Sequence, residues 1–526
     1  MRRLTILGPF FVPAPLSVRF AREPHRVTSR ASGIYHVTPS SGPRVPRPRR
    51  EALARGLASI VGAEHAQWRE PELLVYDADG LVLEKFWPDL VALPGSAAEV
   101  REVLRFAARE GLAVMARGAG TGLCGGSLAE RGGIVLNLAR MNRVLAIEPD
   151  DRLAVVEPGV VNLDLSRAAA RHGLYYAPDP SSQMSSTVGG NLSTNAGGPH
   201  CLKYGQTHRH VLSCELVTAD GEVVRLGDAA PGGPAFELLS LVIGSEGTLG
   251  VVTELTVRLT RVPETVRTFL VSFDTVETAS RAVSDIIAAG IVPSALEMLD
   301  HLTIVAVEPY VHVGLPLDAG AALLIELDGP AAGMDRRARQ IAELCERNGG
   351  RDYREAKDDA ERALLWKARK GAFGAMGRIA NGFYVMDGVV PRSRLPETLR
   401  RVGEICHERG LRVANVFHAG DGNLHPNVLF DPDDPDQVAR ALEASHEILR
   451  ACVELGGALS GEHGIGNEKR EMMGLVFTPA DLDTMRAVKR AFDPGERLNP
   501  DKIFPTGAAP WHPAPLRAAG SEAAWI

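Results

Sequence analysis

The residues of this 526-residue chain that are best suited to chemistry lie in two short glycine-containing segments. The first begins with His418 and contains His425, and the second contains Glu462 followed directly by His463. Because glycine lets the backbone reverse tightly, both imidazoles of the first segment could face one ion. Two imidazoles and a carboxylate form a three-ligand set with an open position, as in catalytic metal sites. The spacing therefore predicts a divalent metal site at His418, His425 and Glu462, with His463 beside it as a candidate general base.

The identity of the ion and the alternative to a metal site stay open at the level of sequence. Nitrogen–oxygen sites accept several divalent ions, so zinc, manganese, iron and cobalt all remain candidates. A histidine taken alone is more often a packed or surface residue than a ligand. The alternative is a polar turn whose side chains make ordinary hydrogen bonds, and only the combined pattern favours the metal.

A second group of glycine-rich segments lies between residues 117 and 250 and predicts a bound phosphate-bearing cofactor. Each interior glycine costs roughly 0.5–1 kcal/mol of stability, so several such segments indicate backbone that lies against a flat or charged ligand. The segments are Arg117–Gly126, Pro178–Ser182, Thr187–Asn191, Asn195–Gly198 and Gly244–Gly250. We expect strands to flank these segments, with a pyrophosphate held by successive backbone N–H groups.

The spacing of Gly120, Gly122 and Gly125 also fits a Rossmann dinucleotide fingerprint. That fingerprint needs a helix that begins within the glycines and an acidic residue about twenty residues later. Here Gly132 and Gly133 soon interrupt the segment and a strand pattern follows. We therefore reject a Rossmann fold for this region.

Composition excludes several other classes of protein. The net charge of −7 and the aromatic content of 5% give no reason to expect nucleic acid or an anionic membrane as a partner. The 6 cysteines form no Cys-x-x-Cys pair, so no iron–sulfur cluster is indicated, and unpaired cysteines favour a reducing cytoplasm. No apolar run approaches the length of a transmembrane helix.

Residues 1–50 differ from the rest because they are rich in arginine and contain a single acid, Glu23. An arginine-rich leader with few acids is typical of a targeting peptide. The other interpretations are a disordered tail or a start codon placed too far upstream. A proline-rich stretch at 43–48 ends this segment.

Local patterns predict an α+β protein of two domains. Ser96 and Glu99 form a capping box before a helix that ends at Gly111. Further helices are predicted at 163–172, 276–289 and 335–348, and strands at 112–116, 134–138, 154–156, 255–259, 270–273 and 322–327. The boundary near residue 263 separates a cofactor-binding domain (51–262) from a substrate- and metal-binding domain (263–485). A segment at 486–505 is expected to return to the first domain, and 506–526 is expected to be a tail.

The glycine-rich segments resemble the FAD-binding domain of the vanillyl-alcohol oxidase/p-cresol methylhydroxylase (PCMH-type) flavoproteins. The motifs that carry the resemblance are Ala116–Gly122, Pro178–Ser182, Asn195–Gly198 and Gly244–Gly250. The chain resembles the D-2-hydroxyacid dehydrogenase branch from about residue 50 to 505. The similarity is greatest to the FAD-linked subunits of glycolate oxidases, through Pro178–Gln183, His200–Gly205 and Val416–Asn423. The resemblance implies a PCMH-type FAD-binding domain and a ferredoxin-like α+β cap domain with a helical C-terminal segment.

The resemblance also implies the residues that bind FAD. Because no histidine lies near Thr121 and Gly122, the flavin is expected to be non-covalent. The implied cofactor-binding residues are Arg117, Gly118, Ala119, Gly120, Thr121, Gly122, Pro178, Asp179, Ser182, Thr187, Gly189, Gly190, Asn195, Gly197, Gly198, Tyr204, Gly205, Glu246, Gly247, Gly250, Val251 and Asn499.

In the resembled family, His418, His425 and Glu462 fall on metal ligands and His463 on the general base. Asn427 falls on a position near the substrate or metal, and Arg369 falls on the arginine that holds the substrate carboxylate. A planar guanidinium suits a carboxylate because it donates two parallel hydrogen bonds, although this helix position would otherwise favour a solvated side chain.

Four further positions bear on the substrate. Tyr384 and Asp387 lie near the substrate site in the resembled family. Apolar Phe373 and Val385 stand where relatives that act on dicarboxylic hydroxyacids carry polar residues, which favours a small monocarboxylate.

The resemblance implies oxidation of a 2-hydroxyacid, glycolate or D-lactate, to the 2-oxoacid, with hydride passing to flavin N5. A second flavin-domain-like subunit and an iron–sulfur subunit that feed a quinone are the expected partners. The protein itself is expected to be cytoplasmic and peripheral at the inner membrane through these partner subunits. The alternative within enzymes is a D-lactate or D-2-hydroxyglutarate dehydrogenase with a soluble acceptor. The rivals from other classes are a metal-dependent hydrolase, which would be colourless, and a silent FAD-binding scaffold.

Overall fold

The computed structural model describes residues 45–81, 83–228 and 236–506. Most of the predicted leader (1–50) and nearly all of the predicted tail (506–526) lie outside these residues. The last residues of the predicted leader, from Arg47 to Arg50, form the first turn of a helix and Arg50 is buried, so the leader prediction extends too far. Among the described residues, no helix is long and apolar enough to cross a membrane.

The α-helices account for much of the described chain. Their bounds are α1 Arg47–Val61, α2 Glu70–Leu73, α3 Ala97–Glu110, α4 Asn162–Ala169, α5 Val188–Thr194, α6 Cys201–Tyr204, α7 Leu239–Val242, α8 Val276–Ala288, α9 His301–Val311, α10 Met334–Arg347, α11 Asp359–Lys370, α12 Ala372–Met376, α13 Leu395–Glu408, α14 Pro435–Glu454 and α15 Pro479–Phe492. The helix predicted after Ser96 is α3: the Ser96 side chain accepts from the Glu99 N–H, and Gly111 ends the helix in the left-handed region.

The strands are mostly short. Their bounds are β1 Ala66–Gln67, β2 Leu90–Ala92, β3 Val114–Arg117, β4 Ile134–Asn137, β5 Val144–Glu148, β6 Leu153–Val156, β7 Leu174–Tyr175, β8 Val211–Val217, β9 Val223–Gly227, β10 Val251–Arg258, β11 Thr260–Arg261, β12 Thr265–Phe273, β13 Ala295–Asp300, β14 Ala321–Gly329, β15 Arg351–Glu355, β16 Gly382–Val385, β17 Gly388–Val389, β18 Arg412–His418, β19 Asn423–Leu424 and β20 Pro426–Phe430. The predicted strands correspond to β3, β4, β6, β10, β12 and β14, with ends that shift by a few residues.

Two sheets occupy the part of the chain that carries the glycine-rich segments. One has the order β1-β2-β4-β3, in which β2, β3 and β4 run parallel. The other is antiparallel with the order β5-β6-β10-β8-β9. One expectation about this region is wrong. Strands do not flank every glycine-rich segment: Asn195–Gly198 lies between α5 and α6, and Gly244–Gly250 follows α7. In Thr187–Asn191, Thr187 caps α5 and the two glycines lie in the first turn of that helix.

A nine-stranded sheet forms the centre of the second half. Seven strands follow the order β15-β12-β14-β13-β18-β19-β17, and β16 and β20 join it through β18. The central strand β14 is almost entirely buried. Leu323 and Ile325 pack in one core with α8 and α10, whereas Ala322 and Leu324 pack in another with α9 and α11. Helices therefore cover both faces of this sheet, and the mixture of helices and mostly antiparallel strands confirms the α+β fold class.

The C-terminal segment lies beside the first sheet. The Val114 N–H donates to the Arg497 carbonyl at 2.8 Å, and the Asn499 N–H donates to the Val114 carbonyl at 2.8 Å. The Asn499 side chain donates to the carbonyls of Gly126 and Glu246, both at 2.7 Å. Residues 497–499 thus link two glycine-rich segments.

A half-buried histidine joins the glycine-rich region to the large sheet. His200 Nδ1 lies 2.8 Å from Asp179 Oδ2, and its Nε2 lies 3.1 Å from Glu326 Oε1 on β14. Trp366 of α11 also donates to Glu326, at 2.7 Å. Burial alone would lower the pKa of His200, but the two carboxylates outweigh burial and raise this pKa to about 10.

This contact makes a pH-dependent contribution to stability. Because the pKa of His200 is higher in the folded chain than its ordinary 6.5, the stabilisation is complete below pH 6.5 and is lost as pH rises through about 10. We expect His200→Gln to cost roughly 1.5–3 kcal/mol near pH 6, as for hydrogen bonds to charged groups. Thermal unfolding of both proteins across this pH range measures the difference, with exposed His407→Gln as the control. A difference that grows with pH would contradict this assignment.

Candidate active site

One cavity of about 710 Å³ is lined by both groups of residues that the sequence singled out. Its wall on one side consists of the glycine-rich segments around residues 117–127, 180–197 and 246–250. The wall on the other side includes Arg369, His418, His425, Glu462 and His463. The structure therefore brings the candidate cofactor residues and the candidate catalytic residues to the same space.

Two strands and a tight turn place the histidines. His418 is the last residue of β18, and His425 directly precedes β20, which pairs with β18. The turn between them needs glycine at Gly422, where φ is +82° and a Cβ would lie 2.1 Å from the Val390 carbonyl oxygen. The prediction that glycines here permit a tight reversal therefore has a specific steric basis.

The three predicted metal ligands converge on one point. His418 Nε2 lies 3.2 Å from Glu462 Oε1, and His425 Nε2 lies 3.1 Å from the same oxygen. One ligand atom from each of the three residues lies within 4.8 Å of the others. Burial would raise the pKa of Glu462, but the two histidines hold it well below its usual range, so the carboxylate is ionised.

The opposite ring nitrogens are held by other groups. His418 Nδ1 lies 2.8 and 2.9 Å from the two oxygens of Glu297, and His425 Nδ1 lies 3.3 Å from the Met386 carbonyl. When Nδ1 donates to such acceptors, Nε2 keeps its lone pair and the ring orientation is fixed. Both Nε2 atoms then point toward Glu462, which is the arrangement that a divalent metal requires.

The loop that carries His463 is organised by one buried carboxylate. Asp387 accepts from the backbone N–H groups of Gly461, Glu462 and His463 and from the Ser460 hydroxyl, over distances of 2.6–3.3 Å. The pKa of Asp387 is held below its usual range: burial raises it, but the neighbouring His463 and Lys469 side chains lower it by more.

His463 itself faces the cavity beside His425. The two rings stack in near-parallel planes with centroids 5.0 Å apart. Burial is the main cause that lowers the pKa of His463 to about 4. Its Nδ1 is buried and has no hydrogen-bond partner in the described part of the chain. The imidazole is therefore neutral near pH 7 and able to accept a proton, as a general base requires.

Arg369 is the largest fully buried side chain at the site, with 1% exposure. It lies in the last turn of α11, and its Nε donates to Glu297 Oε2 at 2.6 Å. Its Nη1 has no partner among the residues that the structure describes, although it is buried at the cavity wall. The side chain is therefore not solvated, and it keeps a donor for an anionic ligand.

Two other candidate residues have less direct positions. Tyr384 lines the cavity, but its hydroxyl donates to Glu468 Oε1 at 2.8 Å. Asn427 is fully buried, and its amide donates to the carbonyls of Ala414 and His425 at 3.0 and 2.9 Å. Asn427 thus braces the backbone of a metal-ligand candidate and does not line the cavity, so of the two expected neighbours, substrate and metal, it lies beside the metal-ligand candidate.

The implied cofactor residues divide into two groups. Those that line the cavity are Arg117, Gly118, Ala119, Gly120, Thr121, Gly122, Ser182, Thr187, Gly189, Gly190, Gly197, Glu246, Gly247 and Gly250. Those outside its lining are Pro178, Asp179, Asn195, Gly198, Tyr204, Gly205, Val251 and Asn499. Several of the second group support the wall: Asp179 contacts His200, and the Tyr204 hydroxyl donates to Asp328 on β14.

Glu246 connects the two sides of the cavity. Its carboxylate accepts from the backbone N–H groups of Ile465 and Gly466 at 2.7 and 2.8 Å, just after His463. Burial raises the pKa of this carboxyl group. Glu246 therefore fixes the loop of the candidate base to a glycine-rich segment in addition to lining the cavity.

Sequence reasoning missed two buried charged residues that hold the site together. Glu297 contacts both Arg369 and His418, and Lys469 contacts Asp387 at 3.2 Å. The signal for Glu297 was present, because a single acid interrupts the apolar run of β13. A charge in an otherwise buried strand needs a partner, so it marks a candidate site.

Comparison with known protein families gives two matches that together cover most of the described chain. The family described as FAD linked oxidases, C-terminal domain, matches residues 262–503. The family described as FAD binding domain matches residues 88–227.

Individual proteins give the same result. The glycolate oxidase subunit GlcD of Escherichia coli (strain K12) is 48% identical over 437 residues, which cover 83% of this chain and 88% of that protein. The mitochondrial D-lactate dehydrogenase (cytochrome) of Arabidopsis thaliana is 31% identical over 421 residues, covering 80% and 74%. The solved structure of p-cresol methylhydroxylase with substrate bound has a TM-score of 0.75 at 17% identity, covering 88% of this chain and 99% of that chain, and thus shares the fold.

Proposed function

The chain belongs to the FAD-linked oxidases, and from that membership we propose that it oxidises a small 2-hydroxyacid, glycolate or D-lactate, to the 2-oxoacid. Membership confirms the resemblance to PCMH-type flavoproteins, and it makes the chain an FAD-dependent oxidoreductase. It also argues against the hydrolase alternative. The observation that carries the substrate proposal is the single cavity shared by the glycine-rich segments and the Arg369, His418, His425, Glu462 and His463 set.

Arg369 supplies the anchor for the substrate carboxylate. Its Nε is occupied by Glu297, so the guanidinium cannot turn freely, and Nη1 is the buried donor left for an anion. The His418 Nδ1 that lies 3.4 Å from Nη2 is already within reach of both Glu297 oxygens. If Nδ1 carries its proton toward Glu297, Nη2 is also free to donate, and two parallel hydrogen bonds to a carboxylate become available.

His463 supplies the base for the 2-hydroxyl proton. Its low pKa leaves the ring neutral at the pH of the cell, and its place in the cavity wall is within the same space as Arg369. His418, His425 and Glu462 would hold a divalent metal, since their donor atoms fit one. The chemistry that these groups would supply when bound is hydride acceptance by FAD and Lewis-acid activation of the 2-hydroxyl by the metal.

The cavity wall favours a short substrate. Phe373, Phe383 and Val385 line it with apolar side chains. Burying an unpaired carboxylate against such residues is costly. We therefore expect monocarboxylic hydroxyacids to be better substrates than dicarboxylic ones.

The relatives suggest how the reduced flavin is reoxidised. Because the E. coli relative is named as a subunit, we propose that partner subunits, one resembling a flavin domain and one carrying iron–sulfur clusters, take the electrons to a quinone. The alternative is a D-lactate dehydrogenase that acts alone with a soluble acceptor, which the Arabidopsis relative favours.

The proposed function is tested by the visible spectrum of the purified protein under anaerobic conditions. We expect a yellow protein whose flavin absorbance bleaches on addition of glycolate or D-lactate, and bleaches less with D-2-hydroxyglutarate. A flavin that no member of a panel of D- and L-2-hydroxyacids reduces would contradict the proposal. Preference for the dicarboxylate would contradict only the substrate size.

Removal of the metal gives a separate prediction. We expect dialysis against a chelator to lower the rate of flavin reduction at least about tenfold, because a Lewis acid contributes several kcal/mol of charge stabilisation. Addition of zinc or manganese should restore the rate. A rate that is indifferent to both treatments would leave His418, His425 and Glu462 with a structural role only.

A further inference from the structure

Glu297 is a buried carboxylate that contacts two functional side chains of different kinds. It is fully buried on β13, where the strand register pairs it with His418 on β18. Its oxygens lie 2.8 and 2.9 Å from His418 Nδ1, and its Oε2 accepts from Arg369 Nε at 2.6 Å. One carboxylate therefore orients a candidate metal ligand and the candidate carboxylate anchor together.

Through these two contacts, Glu297 holds His418 and Arg369 from behind the cavity wall. His418 is then left with Nε2 toward Glu462, and Arg369 is left with Nη1 at the cavity wall. A shift of Glu297 would move both of these nitrogen atoms, because the imidazole and the guanidinium both contact its Oε2. The packing leaves little room for such movement, since Met298 and Leu296 on either side are also buried.

We propose that Glu297 is a positioning residue that couples metal binding to substrate-carboxylate binding. This inference rests on the proposed function, in which His418 binds a metal and Arg369 binds the acid. A His418 ring that gives its Nε2 lone pair to a metal becomes a stronger Nδ1–H donor to Glu297. The same carboxylate is the counter-charge of Arg369, so the state of one side chain alters the other. Such coupling is reciprocal: metal strengthens acid binding and acid strengthens metal binding by the same factor.

The substitution Glu297→Gln separates this role from simple space filling. The amide has nearly the same shape but offers one oxygen where the carboxylate offers two. Its NH2 group would face a second donor, either His418 Nδ1–H or Arg369 Nε–H, so at least one of these loses its acceptor. Glu297→Asp keeps both oxygens and the charge on a shorter side chain, and it should rescue part of the effect.

The control is another buried carboxylate of the same strand. Asp300 ends β13, is 8% exposed, and accepts from Thr303 and Asn415. It has no contact with Arg369 or His418 among the hydrogen bonds of the described residues. Asp300→Asn therefore measures the general cost of losing a buried charge from this strand.

The experiment uses the full-length FAD-containing protein and two probes that need no turnover. Zinc affinity, with manganese as the second ion, is measured on metal-depleted protein by competition with a coloured chelator. Isobutyrate, a small monocarboxylate without the 2-hydroxyl, reports on Arg369 through its perturbation of the flavin spectrum, with and without metal. FAD content and melting temperature establish that each variant is folded.

We expect wild-type protein to bind isobutyrate about fivefold or more tightly when metal is present, within the usual range of coupling between sites. Glu297→Gln should weaken zinc binding by about 10–100-fold, as loss of a supporting carboxylate does at other metal sites. It should also weaken isobutyrate binding and abolish most of the coupling, with Glu297→Asp intermediate and Asp300→Asn near wild type.

Four results would overturn this role. They are wild-type protein without metal affinity, Glu297→Gln with unchanged zinc and isobutyrate affinities, loss of only one of the two affinities with the coupling intact, and an equal loss in Asp300→Asn. If the flavin of wild-type protein is not reduced by any hydroxyacid, the proposed function fails, and the two binding measurements still decide the role of Glu297 separately.

Discussion

His463→Ala is expected to retain FAD and to reduce it with glycolate about 10²–10⁴-fold more slowly than wild type, the usual contribution of a positioned general base. The alanine removes the ring that faces the cavity but leaves the backbone N–H that donates to Asp387 at 2.9 Å. The loop, and with it Glu462, should therefore keep its place. Stopped-flow absorbance under anaerobic conditions measures the flavin reduction rate directly.

The control for this prediction is His407→Ala, which removes an exposed imidazole at the end of α13. It should leave flavin reduction unchanged. Near-normal reduction by His463→Ala would remove the base assignment. Loss of FAD from the variant would instead assign the ring to cofactor binding, which also contradicts the role given to it here.

The second large effect is expected for Arg369→Lys. Lysine keeps the positive charge beside Glu297 but cannot donate to Glu297 and to a substrate carboxylate in the fixed geometry of a guanidinium. A hydrogen bond to a charged group contributes about 1.5–3 kcal/mol. We therefore expect kcat/KM for glycolate to fall about tenfold or more, mainly through KM, with the flavin spectrum unchanged.

Steady-state kinetics over a range of glycolate concentrations measures this effect, and Arg378→Lys is the matched control. Arg378 is exposed and lies nine residues beyond Arg369. An Arg369→Lys variant with normal KM would show that another group binds the carboxylate. Lys370, which also lines the cavity, is the next candidate in that event.

Much of the site could be predicted because its residues lie in short segments with local signals. His418 and His425 are separated by a glycine turn, and Glu462 adjoins His463, so the donor set is visible in the sequence. The helix after Ser96 could be predicted for a similar reason, since its cap and its terminal glycine are local features. The FAD family followed from glycine-rich segments of characteristic sequence.

The rest depended on long-range packing that the sequence does not encode locally. Glu297 is 121 residues from His418 in the chain, and nothing near it indicates which buried partner it meets. The sequence also does not show which way a strand side chain points. The amide of Asn427 donates to two backbone carbonyls, and the side chain does not line the cavity. Thr187–Asn191 was expected to lie between strands. Instead, the Thr187 side chain caps α5, and the helix forms although two glycines lie in its first turn.

The most direct measurement is single-turnover reduction of the flavin by glycolate that carries deuterium at C2, compared with unlabelled glycolate. If the cavity holds the C2–H bond of the acid against the flavin, bleaching occurs with both acids and is severalfold slower with the deuterated one. Bleaching at the same rate with both acids, or no bleaching with either, would contradict hydride transfer from a 2-hydroxyacid at this site.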